Sequence, residues 1–387
     1  MRVALIRGSL LRPWEVPNYV LDGAETTFFA STRQARALSG VHTAVRGLPS
    51  LAELTTRLSP RVAGAAYYFG GSAEYLLGLE RALSGFDVAH AAELSTPMSL
   101  QAIRARDRGR CRRAVITVME NIAYHPYENE LVRRRARRVA AGIDHAFAVT
   151  GKARLHLESA GVPPDRITVL PVGIDMERFR PAGEPGSRSG LSVLSVARLE
   201  PAKGVADLVV AVGLAHRAGH DIRVTFAGQG PLRGRLQALA AELGIADRVS
   251  FAEVGWPEVA DLYRRHDAFV LASAPTGNWR EQFGFAVVEA MASGLPVVAG
   301  DSGSLPEVVG DSDSLVRPHD PEALAERLIA LLADPDGRAQ QGRANRTRAL
   351  ERYDVAGVRT RIAALYTEVL ARPARSAGVR TAAILGR

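Results

Sequence analysis

The sequence predicts an α/β protein of two domains of similar size, each built on a parallel sheet. Three observations lead to this. Short apolar runs alternate with helix-patterned stretches along most of the chain. The alternation is interrupted once, at Pro181-Ala-Gly-Glu-Pro-Gly-Ser-Arg-Ser-Gly190, the clearest linker, and then restarts. The 387 residues also suffice for two domains at about 100–200 residues each.

The elements follow in order. Val3–Ile6 is a short apolar run ending at Arg7-Gly8-Ser9, a buried strand with its loop. Arg33–Leu38 is a helix, and Val45–Gly47 ends a second strand. Phe86–His90 and Ala114–Val118 are strands, with a helix around Pro97–Arg106 between them. His145–Thr150 is another apolar run, a helix follows near Lys152–Ala160, and Ile167–Leu170 is a strand. After the linker, strands are expected at Leu191–Val196, Arg223–Ala227, Val249–Ala252, Ala268–Ala272 and Pro296–Ala299. Helices are expected from Val205, at Leu232–Leu243 (strongly amphipathic), at Pro257–Arg265 and at Phe285–Ala292. Pro321–Ala333 has Asp320 as N-cap and Pro321 at its first position. The last helix, near Val355–Leu370, need not pack on the second sheet, and the tail from Arg372 frays. The linker sets the domains at 1–183 and 184–354, with the C-terminal helix 355–375 free to join the first.

Composition narrows the class. With 47% apolar and 23% charged residues this is ordinary globular material, neither disordered nor fibrous. One cysteine, Cys111, excludes a disulfide framework and a multi-cysteine metal site, and fits a reducing compartment. Only four consecutive apolar residues follow Arg2, too few for a signal-peptide core. No run approaches the roughly 18–20 apolar residues that span a bilayer. The chain is read as cytoplasmic, with peripheral membrane contact at the inner face left open. Net charge is +8, from 49 basic and 41 acidic residues, yet only Lys152 and Lys203 are lysines. So strong a bias to arginine is compositional background, and it marks each lysine for inspection.

Ligands of open parallel sheets bind at the carboxyl ends of the strands, so the loops there carry the candidate chemistry. Val196-Ala-Arg198-Leu-Glu-Pro-Ala-Lys203-Gly204 puts two cations near a helix N-terminus, which suits a diphosphate. Phe226-Ala-Gly228-Gln-Gly230-Pro lets backbone approach a ligand closely, or simply makes a tight turn; it is not the dinucleotide fingerprint. Trp279-Arg-Glu281-Gln-Phe283-Gly284-Phe285-Ala-Val-Val-Glu289 places one carboxylate in a loop and one on an apolar helix. There a charge is costly unless paired or exposed. Glu289 either accepts bonds from vicinal hydroxyls, such as those of a ribose, or is an exposed helix glutamate.

These residues resemble the retaining glycosyltransferases of family four. The Glu-x7-Glu spacing of Glu281 and Glu289 is the specific signature; Arg198 and Lys203 match the family's donor diphosphate pair. Ser302-Gly303-Ser304-Leu-Pro-Glu307 resembles its Gly-Gly-x-x-Glu element, and the match covers about residues 145–370. The resemblance implies a GT-B fold: two Rossmann-like domains with parallel sheets facing across a cleft, the C-terminal helix crossing back to the first. It implies that 184–354 binds a UDP- or GDP-sugar donor and 1–183 the acceptor: a small molecule, natural product or lipid-linked compound. Arg198, Lys203 and Glu281 take the catalytic roles. Gly8, Gly228, Gly230, Val254, Phe283, Gly284, Phe285 and Glu289 take the donor-binding ones. The family is thought to use front-face attack, the departing phosphate taking the acceptor's proton, with no cofactor or divalent metal.

In the first half the likeness thins. Family members often carry His-Asp where this chain has Met119-Glu120, and Asn where it has Val172. Trp14, Glu15, Asn18, Glu120, Asn121 and His125 are the acceptor-side candidates, with Tyr127 nearby; Trp14 either stacks on an acceptor ring or packs in its loop. Arg133, Arg134, Arg135, Arg137 and Arg138 spread around a helix rather than forming one stripe. They read first as solvated surface, next as a contact for anionic membrane or acceptor, and not as a nucleic-acid site. The chain is expected to be a monomer or homodimer. Two alternatives stay open: a catalytically weak GT-B partner subunit, and a nucleotide-sugar isomerase or hydrolase.

Overall fold

The computed structural model describes residues 1–38, 44–58, 74–122, 129–182, 190–255 and 258–373. The chain divides into two compact units. One comprises residues 1–149, 153–172 and 356–387; the other comprises 150–152 and 173–355.

The first unit holds a seven-stranded, all-parallel sheet of order β3-β2-β1-β4-β5-β6-β7. Its strands are β1 (Arg2–Gly8), β2 (Glu25–Ser31), β3 (Val45–Leu48), β4 (Phe86–Ala92), β5 (Cys111–Val118), β6 (His145–Ala148) and β7 (Ile167–Val169). Alternation along β1 sends Ala4 and Ile6 into one core layer, with Met98 and Ile116, and Val3 and Leu5 into another, with Phe28 and Val115. The second unit holds a six-stranded parallel sheet of order β10-β9-β8-β11-β12-β13. These strands are β8 (Leu191–Val196), β9 (Ile222–Ala227), β10 (Val249–Ala252), β11 (Ala268–Leu271), β12 (Val297–Gly300) and β13 (Leu315–Val316).

Most expected elements are present, with three differences. The strand β2 was not expected; five of its seven residues are buried, so it lacks the in-out alternation that flags a strand. The helix Arg233–Glu242 buries only Leu236 and Ala240, a narrower apolar line than the strongly amphipathic face expected. A helix at Pro335–Tyr353 was also missed, because its sequence is polar throughout and it packs through Gly342, Asn345, Ala349 and Tyr353. The capped helix Pro321–Ala333 forms as expected, Asp320 Oδ1 accepting from Ala323 N at 2.9 Å. The interdomain linker and the C-terminal tail fall largely outside the described residues.

The last helix, Val355–Ala371, belongs to the first unit, where Val358, Ile362, Tyr366 and Val369 complete the second core layer. A buried polar network fixes it there. The Tyr366 hydroxyl lies 2.5 Å from His90 Nδ1, and His90 Nε2 lies 2.7 Å from Thr117 Oγ1. Beside them the buried Arg7 pairs with Glu15 at 2.5 Å and donates to Tyr19 Oη at 3.1 Å. Burial, with the Arg7 charge in support, holds the His90 imidazole well below its ordinary range, so it is neutral in the fold. No helix among the described residues is long and apolar enough to cross a membrane.

Two outcomes follow from this network. Tyr366→Phe leaves a buried imidazole nitrogen without its partner and is expected to cost about 1–3 kcal/mol in urea unfolding. The unfolded chain takes up a proton at His90 that the fold refuses. Stability should therefore decline as pH falls below the unfolded histidine value of about 6.5. His145, depressed to about 4 by burial, acts in the same direction. Replacing both by neutral residues should flatten the decline in a pH series of denaturation midpoints.

Candidate active site

Both sheets reverse strand order once, between β1 and β4 and between β8 and β11. Crevices at the carboxyl ends of such switch points are where open α/β sheets bind ligands. In the second unit this is where the sequence-predicted residues gather. Lys203 follows β8, and Glu281 lies in the loop after β11. The Lys203 ammonium stands 2.7 Å from Glu281 Oε2, with both side chains nearly buried, so the pair bridges the switch point. Buried ion pairs persist only when desolvation is offset by further contacts. Here Ser273 Oγ donates to the same carboxylate oxygen at 2.9 Å, and the Trp279 ring centroid lies 4.2 Å from the ammonium. Neither Ser273 nor Trp279 was singled out from the sequence.

Backbone packing sets these side chains in place. Lys203 ends a 3-10 turn, Pro201–Lys203, closed by Gly204 at φ 62°. A Cβ at Gly204 would lie 1.9 Å from the Ala272 carbonyl oxygen, so only glycine lets this loop lie on the end of β11. Gly228 and Gly230 act similarly: a Cβ there would lie 2.0 Å from Ala197 O and 2.5 Å from Leu199 O. The Gly-x-Gly turn thus lies against the β8 loop, as a tight turn would.

Arg198 is placed differently from Lys203. Its side chain is 65% exposed and pairs with Glu200 at 2.6 Å. The expected diphosphate pair is therefore one anchored cation and one solvated cation. Gly284, at φ 83°, starts the helix Phe285–Ala292 without a side-chain cap, and Phe283 packs edge-on to Phe285 at 5.0 Å. Phe251 stacks on Phe226 at 5.6 Å, and Val254 beyond it is exposed. Glu289 is not the exposed helix glutamate. Tyr263, fully buried on the helix Val259–Arg264, donates to its Oε2 at 2.8 Å. Burial raises the Glu289 carboxyl to about 7 against the opposing pull of Tyr263 and Arg178.

In the first unit the candidates separate. Gly8 lies beneath Glu74, where a Cβ would come within 2.4 Å of the carboxylate, and Ser9 N donates to Glu74 at 3.0 Å. Glu15 is engaged in the Arg7 ion pair and Asn18 is buried, so both serve the interior of this unit. Trp14 is partly exposed. His125 and Tyr127 lie outside the described residues. The loop after β5 is braced by carboxylates. Glu93 accepts from the amides of Met119 at 2.9 Å and Glu120 at 3.4 Å. Glu120 accepts from Asn121 N at 2.9 Å and Ile122 N at 2.8 Å. Glu93 was missed: it directly follows β4, holds a left-handed φ of 63°, and is raised to about 7, chiefly by burial. In the arginine-rich helix Glu130–Gly142, Arg134 and Arg137 share Glu130 at 3.0 and 2.8 Å. Arg135 donates to Ser95 O at 2.5 Å, while Arg133 and Arg138 are exposed.

Two doubly wound parallel units, with a buried Lys–Glu pair at the second switch point, define a class of two-domain α/β proteins. Comparison with known proteins narrows it. Residues 22–178 match the model described as Glycosyltransferase Family 4, and residues 186–348 the one described as Glycosyl transferases group 1. A D-inositol 3-phosphate glycosyltransferase of Nocardia farcinica is 36% identical over 58% of this chain and 52% of its own length. A GDP-mannose-dependent alpha-(1-6)-phosphatidylinositol monomannoside mannosyltransferase of Mycobacterium tuberculosis is 30% identical over 65% of this chain and 68% of its own. The chain spans about half the length of the inositol-phosphate relatives it matches. The Anabaena protein HepE, crystallised with UDP, superposes with a TM-score of 0.73 at 19% identity, covering 95% of this chain and 100% of its own. A glycosyltransferase from Rickettsia africae also gives 0.73, at 16% identity, covering 96% and 99%. The fold is GT-B, and the chain belongs to glycosyltransferase family four.

The half-buried Glu289 carboxyl makes a signed prediction. Above pH 7 the fold holds it charged at a cost; below the unfolded value near 4.5 both states are protonated and the cost vanishes. Glu289→Gln should therefore stabilise the protein by about 1–2 kcal/mol at pH 8 and by almost nothing at pH 4.5, read from denaturant midpoints at both pH values.

Proposed function

We propose that this protein is a retaining glycosyltransferase that moves a sugar from a UDP- or GDP-sugar to a small-molecule, natural-product or lipid-linked acceptor. The observation that carries the reading is the Lys203–Glu281 pair at the second switch point. Breaking a glycosyl–phosphate bond leaves negative charge on the diphosphate and positive charge on the sugar. A fixed ammonium stabilises the first without reorganising as the bond breaks. Arg198, exposed and paired with Glu200, turns from that surface pair to add a second cation to the diphosphate. Glu281 grips sugar hydroxyls together with the backbone around Phe283–Phe285. Glu289, held by Tyr263, accepts from the ribose hydroxyls. Gly228, Gly230 and Val254 border the nucleotide. The departing phosphate takes the acceptor's proton, so the two cations stand where other transferases use a divalent metal.

The names of the relatives support a nucleotide-sugar donor and an inositol-type or lipid acceptor, and the HepE complex supports UDP as one such nucleotide. The protein works inside the cell. The exposed Arg133 and Arg138 give it peripheral contact with an anionic membrane when the acceptor is a lipid.

The test is a panel of UDP-, GDP- and ADP-sugars, with binding and slow hydrolysis both read. A donor that binds, transfers with the anomeric configuration kept by NMR, and turns over undiminished in EDTA is the expected result. No binding by any donor would overturn the reading. With the active donor, Lys203→Ala should lower kcat by about 100-fold or more, as expected for one lost transition-state charge contact. Glu289→Ala should instead weaken nucleotide binding by roughly tenfold, one lost hydrogen-bonding group, in calorimetric titration.

A further inference from the structure

The two lysines of the chain converge on one segment. Lys203 holds the Glu281 side chain. Lys152 reaches the backbone that holds the same residue. Its ammonium donates to the carbonyl oxygen of Gly303. The next residue, Ser304, donates its amide to the Glu281 carbonyl at 2.8 Å. Gly303 sits at φ 57°, and a Cβ there would lie 2.0 Å from that same carbonyl oxygen, so the two backbones are in direct contact.

Lys152 does not act alone. Thr150 Oγ1 lies 3.1 Å from Ser304 Oγ, and Gly151 N donates to both oxygens of Glu307 at 2.9 and 2.8 Å. Three consecutive residues, 150–152, thus each hold one residue of the segment 303–307. These three belong to the second unit, although the helix they start, Gly151–Ser159, continues in the first.

We propose that Lys152 is a positioning residue for Glu281: through Gly303 and Ser304 it sets the main chain from which the Glu281 carboxylate meets Lys203 and, on the functional reading above, the donor sugar. The chemistry favours this over a decorative surface contact. Ser304 is fully buried, and Glu281 is nearly so. A cation on the Gly303 carbonyl polarises that peptide and strengthens the adjoining Ser304 N–H as a donor. Lys152 is itself exposed, so truncating it opens no cavity.

The experiment compares Lys152→Ala and Lys152→Arg in the full chain, with Lys203→Ala as a reference. Amide exchange is read first, because it does not depend on any substrate. In Lys152→Ala the Ser304 amide should exchange at least about fivefold faster, with the melting temperature within about 2 °C of the parent. Lys152→Arg, which can still donate to the carbonyl, should restore most of the protection. Unchanged exchange at Ser304 would overturn the inference, as would faster exchange across the whole unit with a large fall in melting temperature. With an active donor, Lys152→Ala should lower kcat by roughly tenfold while donor KM moves less than about twofold. Parent-like kinetics in Lys152→Ala beside a severe loss in Lys203→Ala would sink the inference and leave the functional reading intact. Absence of turnover in the parent with every donor would sink the functional reading alone, the exchange result still deciding the position of Glu281.

Discussion

The site of the second unit depends on backbone lying against backbone at the carboxyl edge of its sheet. At Gly204, Gly228, Gly230 and Gly303 a single methyl group would strike a neighbouring carbonyl at between 1.9 and 2.5 Å. Loops packed this closely have little freedom to shift. They deliver Lys203 from one side of the strand-order reversal and Glu281 from the other with 2.7 Å between them. On the proposed reaction this rigidity matters, because a charge that must move into place during the reaction gives back much of what it stabilises.

Burial then tunes the groups that the packing positions. Glu289 and Glu93, one in each unit, are both raised to about 7, each mainly by removal from water. The buried histidines move the opposite way, because desolvation always disfavours the charged form. The two sets therefore tilt stability in opposite directions with pH, and acid unfolding is opposed by the carboxylates. Glu93 and Glu120 also occupy four amides of the loop after β5. At Met119–Glu120, where family members often present His-Asp, the described backbone is held by carboxylates instead.

Much of this was legible in the sequence because the chemistry is local. Alternating apolar runs gave both parallel sheets. Asp320 before Pro321 gave a helix start that the structure reproduces. The Glu281–Glu289 spacing and Lys203 beside Gly204 pointed to loops that the structure brings together at the second strand-order reversal. Harder to read were elements whose pattern is set by their neighbours. The strand β2 is buried on both faces and shows no alternation. The helix Pro335–Tyr353 is polar and packs through glycine, alanine and a buried asparagine, Asn345, whose amide serves the Leu295 carbonyl. Glu15, read as facing an acceptor, turns inward because Arg7 is buried and needs a counter-charge, and Asn18 is buried as well.

Sequence by itself determined the class: two α/β units, the loops that carry charge, and the family, since periodicity and short motifs are properties of neighbouring residues. Tertiary structure decided which charges meet. Nothing in the spacing of Lys203 and Glu281, 78 residues apart, indicates an ion pair. Nothing in the order of the chain brings residues 150–152 to 303–307, or Tyr366 to His90 across 276 positions. Lys203 and Glu281 meet because parallel strands return the loops after β8 and β11 to the same edge of one sheet, and Tyr366 meets His90 because the last helix completes a core layer of the first sheet; in both places burial favours paired polar groups.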